Sequence, residues 1–151
     1  MKDFLDSLAS KNPTPGGGAA AAVAGAMAAA LVEMVVNLSK NLELKTGNLR
    51  TRLLALADED AKAFDEVMAA YKSKSKVRIK KALLKAIEVP EETKKLSKDV
   101  EKLARIAAKR GNKNAVSDAK TAIHLAQAAQ KSAEENIKIN KKFLTKLGYR
   151  L

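Results

Sequence analysis

The 151-residue chain is predicted to fold as an all-α, antiparallel bundle of about five helices in a single domain spanning residues 1–151. Three observations lead there. Alanine is abundant while aromatics make up only 3% of the chain, prolines are confined to Pro13, Pro15 and Pro90, and no stretch alternates β-branched or aromatic residues with polar ones between turn signals. The one short alternation, from Lys72 to Lys80, is mostly lysine and serine and suits a connector running into a helix. With 46% hydrophobic content the length supports one core and is too short for two.

Taken in order, a short first helix carries Phe4, Leu5 and Leu8 on one side. The second starts at Pro15 or just after it, with Thr14 as N-cap and Pro15 suited to the first helical position, and runs to about Ser39. Its Gly18, Ala22, Ala26 and Ala30, like its Ala21, Gly25 and Ala29, recur every four residues, so two faces have almost no bulk and another helix can come very close. The apolar run has the length of a membrane span, but Glu33 interrupts it, alanine is nearly neutral for insertion, and no Trp or Tyr flanks it. Neither a span nor a signal peptide is expected, and the expected location is the cytoplasm. Gly47 and Asn48 punctuate the next break, and a third helix runs from about Leu49 to Tyr71. A fourth, from about Ser75 to Lys109, should be kinked or broken by Pro90. The segment Lys109–Asn114 is a stop-start signal in which Gly111 can take the left-handed position and Asn112 or Asn114 can cap the next helix. The last helix has Ala119, Ile123, Ala126, Ala133, Ile137 and Leu144 along one stripe.

Chemistry is narrowed by what is scarce. There is no cysteine and one histidine, so disulfides and thiolate metal sites are excluded, no metal is expected, and a general acid or base falls to Asp or Glu. His124, between Ile123 and Leu125, reads as a structural or surface residue. In "LLALADEDAKAFDEV", Leu53, Leu56, Asp60, Ala63 and Val67 keep three-four spacing, which places Asp60 on the apolar seam while Asp58, Glu59 and Asp65 lie elsewhere. Burial raises a carboxyl pKa, the direction that acid–base work near neutral pH requires. An ion pair or a hydrogen bond to a neighbouring helix end would explain the same placement.

Gly16, Gly17 and Gly18 cost backbone entropy that serine or aspartate would avoid, which suggests that something approaches the main chain there. Free N–H groups at a helix start suit a carboxylate or phosphate, although a flexible entry loop would look the same. Ser117 and Asp118 fall in the first turn of the last helix, where a negative side chain is ordinary. Asn136 and Asn140 lie four apart on one side, near the apolar stripe, and need partners.

In order and spacing, "PTPGGG" opening an Ala-rich helix, "DEDAKAF", "VP" at Val89–Pro90, "GNKNAVSDA" and "NIKIN" resemble the cyclodeaminase domain of formiminotransferase-cyclodeaminase and its stand-alone relatives, including methenyltetrahydrofolate cyclohydrolases. The likeness covers about Phe4 to Asn140. It implies an all-helical domain, usually a homodimer, acting on one-carbon derivatives of tetrahydrofolate with no cofactor beyond that substrate. Asp60, immediately before "AKAF", takes the place of the family's catalytic aspartate. On this reading Asn112, Asp118, Asn136 and Asn140 bind the pterin or orient the acid, and Gly16, Gly17 and Gly18 let the folate lie against backbone. The implied reaction is cyclodeamination of formiminotetrahydrofolate, or alternatively hydrolysis of methenyltetrahydrofolate; a folate-binding homologue without catalysis is a further alternative. Ala19 stands where the family usually has serine, "AYKSKSK" replaces "LPK", and the chain ends at Leu151, soon after "NIKIN". Completion of the site by a partner chain is one expectation from that ending, and a reduced family member is the other.

The net charge of +12 is uneven: residues 1–71 hold 7 Lys and Arg against 9 Asp and Glu, whereas residues 72–151 hold 22 against 8. Such a field would attract a polyglutamylated folate. It would equally attract nucleic acid phosphates, but the dearth of stacking aromatics speaks against that role, and a lysine-rich solvated surface explains the same numbers.

Overall fold

The computed structural model describes residues 1–149. Five α-helices succeed one another: α1 (Lys2–Leu8), α2 (Gly17–Asn37), α3 (Leu49–Lys72), α4 (Lys76–Arg110) and α5 (Val116–Lys146), with a 3₁₀ turn at Lys113–Ala115 between the last two. No strand occurs among the described residues. The all-α bundle expected from composition is therefore the observed architecture.

The small-residue faces of α2 explain the packing. This helix is central, touching α3, α4 and α5, and Ala19, Ala22, Ala26, Ala29, Val32 and Val35 are sealed from solvent. A helix that is apolar nearly all round belongs inside a core, and α2, long and apolar enough by composition to cross a membrane, is here mostly covered by its neighbours. On α5 the matching stripe is Ala119, Ala122, Ala126, Ala129 and Ala133, all fully buried. At Gly25 an added Cβ would lie 2.7 Å from Ser97 Oγ and 3.1 Å from Leu53 Cδ2, so glycine is required where α2 meets α3 and α4. The half-exposed Arg52 on α3 donates to Glu92 on α4 at 2.7 and 2.8 Å and to Glu59 on its own helix.

Three local expectations are corrected. Thr14 does not cap α2: the N-cap is Gly16, which has no side chain to offer, and the helix starts at Gly17 rather than Pro15. Pro90 does not break α4, which runs unbroken through it. A proline lacks the N–H that would bond the carbonyl four residues earlier, here Ala86 O, and Asn140 Nδ2 from α5 donates to that oxygen at 2.7 Å. The helix survives because another helix supplies the missing donor. Gly111 is extended (φ −79°, ψ −173°) rather than left-handed. It is glycine for want of room, since a Cβ would lie 2.5 Å from Ala107 O and 2.9 Å from Val35 Cγ1.

Candidate active site

A cleft of about 520 Å³ opens between the start of α2, the second half of α3, the first half of α4 and the last turns of α5. It brings together Gly16, Gly17, Gly18, Asp60, Asn136 and Asn140. The rest of its wall is largely apolar: Pro13, Ala63, Phe64, Val67, Met68, Leu83, Ala86, Ile139 and Phe143, with Thr14 and Tyr71.

Asp60 is held here by the seam of α3, between the fully buried Leu53 and Leu56 on one side and the buried Ala63 on the other. Its carboxyl lies on the start of α2. A Cβ at Gly18 would come within 2.5 Å of Asp60 Cγ and 2.6 Å of Oδ2, so only glycine leaves room for the acid. The Ala19 backbone N–H donates to the carboxylate. Asp60 thus serves the end of α2 from another helix, which is why Gly16 needs no capping side chain. Burial pushes the Asp60 carboxyl above the ordinary aspartate value, and the Ala19 hydrogen bond offsets only part of that rise. Both readings of the seam position hold at once: the acid meets a helix end, and it is shifted towards neutral pH.

Asn136 and Asn140 project from α5 into the same cleft. Asn136 Nδ2 donates to Ser132 O at 2.9 Å and lies beside Gly17, where an added Cβ would be 3.8 Å away. Asn140 Nδ2 is committed to Ala86 O.

Asn112 and Asp118 are not brought into this cleft. Asn112 sits at the far end of α2, where its N–H donates to Ser39 Oγ at 2.8 Å, its Nδ2 donates to Leu38 O at 2.8 Å and its Oδ1 accepts from Asn114 N at 2.9 Å. Its hydrogen-bonding capacity is used in joining the C-terminal end of α2 to the 3₁₀ turn. The intervening length of α2, 21 residues at 1.5 Å each, separates it from Gly17 by roughly 30 Å. Asp118 lies in the first turn of α5, eighteen residues before Asn136, or roughly 27 Å along the same helix. His124 is exposed on α5, and Asp58 is exposed on α3.

Sequence reasoning passed over the aromatics. Phe64, Tyr71 and Phe143 are three of only five aromatic side chains in the chain, and all three line the cleft. Their scarcity elsewhere was the available signal. Flat, apolar walls with a few acceptors at one end suit a flat heterocycle carrying N–H groups.

Residues 1–150 match the formiminotransferase-cyclodeaminase family. A curated relative, methenyltetrahydrofolate cyclohydrolase of Methylorubrum extorquens, is 40% identical over 166 residues, covering 95% of this chain and 80% of that protein. The crystal structure of formiminotetrahydrofolate cyclodeaminase from Thermotoga maritima matches this fold with a TM-score of 0.88 at 36% identity, over 95% of this chain and 78% of that one. With residues 1–150 matched and 95% of the chain covered by each relative, the chain belongs to the formiminotransferase-cyclodeaminase family of folate one-carbon proteins.

Proposed function

We propose that the chain is an enzyme acting at the one-carbon bridge of tetrahydrofolate, with Asp60 as its proton carrier. The observation that carries this reading is the Asp60 carboxyl, raised by burial and lodged in the cleft against Gly18 at the start of α2. In cyclodeamination, N10 of formiminotetrahydrofolate attacks the formimino carbon and a tetrahedral adduct forms. The formimino nitrogen enters protonated, as an amidinium; the proton leaving N10 passes to it to make –NH3⁺, the C–N bond to that nitrogen breaks, and ammonia and the positively charged methenyl bridge result. One carboxylate that first accepts and then donates serves both transfers, for an effect on the order of 10²–10⁴-fold. The apolar wall excludes water from the adduct, and the aromatic side chains stack the flat parts of the substrate.

The reverse demand, adding water to the methenyl carbon, is favoured by the 40% identity to the cyclohydrolase. There Asp60 takes a proton from the attacking water and delivers it to N5 as its bond to carbon breaks, and the remaining hydroxyl proton is released to solvent, leaving the formyl group on N10. Supplying formiminotetrahydrofolate and methenyltetrahydrofolate separately, and monitoring the methenyl absorbance, tests both. Growth of the signal on the first or its decay on the second above the uncatalysed rate is expected; no change on either overturns the proposal.

The assembly proposed is a homodimer. Along α2 and its C-cap, Ala20, Ala24, Met27, Leu31, Met34 and Leu38 recur at alternating four- and three-residue intervals on the less buried side, with Leu31 half-buried against the core. Met27, Met34 and Leu38 are 41%, 37% and 53% exposed, an apolar seam suited to the same seam of a second copy.

A further inference from the structure

The "VP" at Val89–Pro90 has no reacting group, yet it faces the site through one hydrogen bond. Pro90 leaves Ala86 O without its helical donor, and Ala86 lines the cleft. Asn140 Nδ2 takes up that oxygen at 2.7 Å. Turning the amide over would set Oδ1 against Ala86 O, two acceptors at contact distance, so the bond fixes which end of the amide faces away. Asn136 is held in the same sense by Ser132 O. Among the described residues neither Oδ1 accepts a hydrogen bond, and neither is sealed in the core, where Ser97 Oγ is the buried unpaired side-chain atom. Two amide oxygens and the Asp60 carboxylate therefore make the polar end of the cleft rich in acceptors.

We propose that Pro90 is a positioning residue: by orphaning Ala86 O it locks the Asn140 amide with Oδ1 turned to the cleft, so that Asn140 together with Asn136 reads an N–H donor edge of the pterin ring. This rests on the folate reading above. The same lock disfavours a ligand that presents acceptors there, because two acceptors would then meet without a proton between them.

The test compares wild type, Pro90→Ala, Asn140→Leu and the double variant, using thermal melting together with equilibrium binding of 5-formyltetrahydrofolate, a stable reduced folate. Pro90→Ala returns an N–H to Ala86 O and frees the amide to rotate. Binding is expected to weaken several-fold with no fall in melting temperature, and KM for the turned-over substrate to rise more than kcat falls. Asn140→Leu is expected to lower the melting temperature and to weaken binding by about tenfold, the scale of one lost hydrogen bond. In the Pro90→Ala background the same change should cost binding but no melting temperature, because the carbonyl has regained a backbone partner. That non-additivity is the signature of the lock. Additive losses of melting temperature, or Pro90→Ala binding as tightly as wild type, overturn the proposal. Wild type that binds no reduced folate overturns the parent reading and the ligand half of this one, while the melting cycle still judges the Pro90–Asn140 contact.

Discussion

At Asp60 one carboxyl has two duties that oppose each other. It takes the Ala19 N–H at the start of α2, where a charged form is welcome, and it stands in a largely apolar cleft, where a charged form is not; burial is the larger effect. A raised value means that, between the ordinary aspartate pKa and that of the folded chain, the folded form binds more protons than the unfolded. Stability then falls as pH rises through that window, and the ionised acid remains a burden above it. Asp60→Asn keeps an oxygen for Ala19 without the charge. Its melting temperature is predicted to equal or exceed that of wild type at neutral pH, with the difference shrinking as the solution is acidified below the window; a scan of melting against pH decides it. Asp60 was legible from the 3.6-residue period alone, because Leu53, Leu56 and Ala63 mark the seam. Gly18 was legible as an anomaly but not as a partner of Asp60, since the contact that demands glycine comes from a helix 42 positions later.

The helices were legible where their signals are local. The observed bounds of α3 and α4 lie within a residue of those read from Leu49, Tyr71, Ser75 and Lys109, because Ser75 caps α4 through its own side chain (3.4 Å to Arg78 N) and stop signals act within one turn. The start of α2 and the passage of α4 through Pro90 were misread for one reason. In both, the group that completes the helix comes from elsewhere in the chain, Asp60 for the first and Asn140 for the second. Membership of the site escaped local reading in the same way, because Asn112 and Asp118 have helix-end chemistry but stand at the opposite end of α2 and α5 from the cleft. At Gly25, by contrast, the small-residue repeat already pointed to close packing. Gly25→Ala is predicted to destabilise the fold by about 1–3 kcal/mol, the usual cost of overfilling a packed contact, since Ser97 and Leu53 must both give way. Urea denaturation measures it, and an unchanged midpoint would show that the contact is loose.

For the whole molecule, one end of the bundle holds the cleft with Asp60 and one face is left apolar. The Met27–Met34 seam predicts a dimer by sedimentation at micromolar concentration, and Met27→Glu with Met34→Glu should convert it to monomers that keep their helical signal. A monomeric wild type would remove that assembly. The excess of positive charge in residues 72–151 belongs to this scale too: on the proposed function it would draw an anionic folate towards the molecule rather than contact it within the cleft. Proton transfer by the seam aspartate is tested most directly by single-turnover conversion of whichever bridge substrate wild type accepts, with enzyme in saturating excess, run beside Asp60→Asn. A loss of at least about 10²-fold in rate, with 5-formyltetrahydrofolate still bound and the fold intact, is predicted. A variant that turns over within a few-fold of wild type would contradict it.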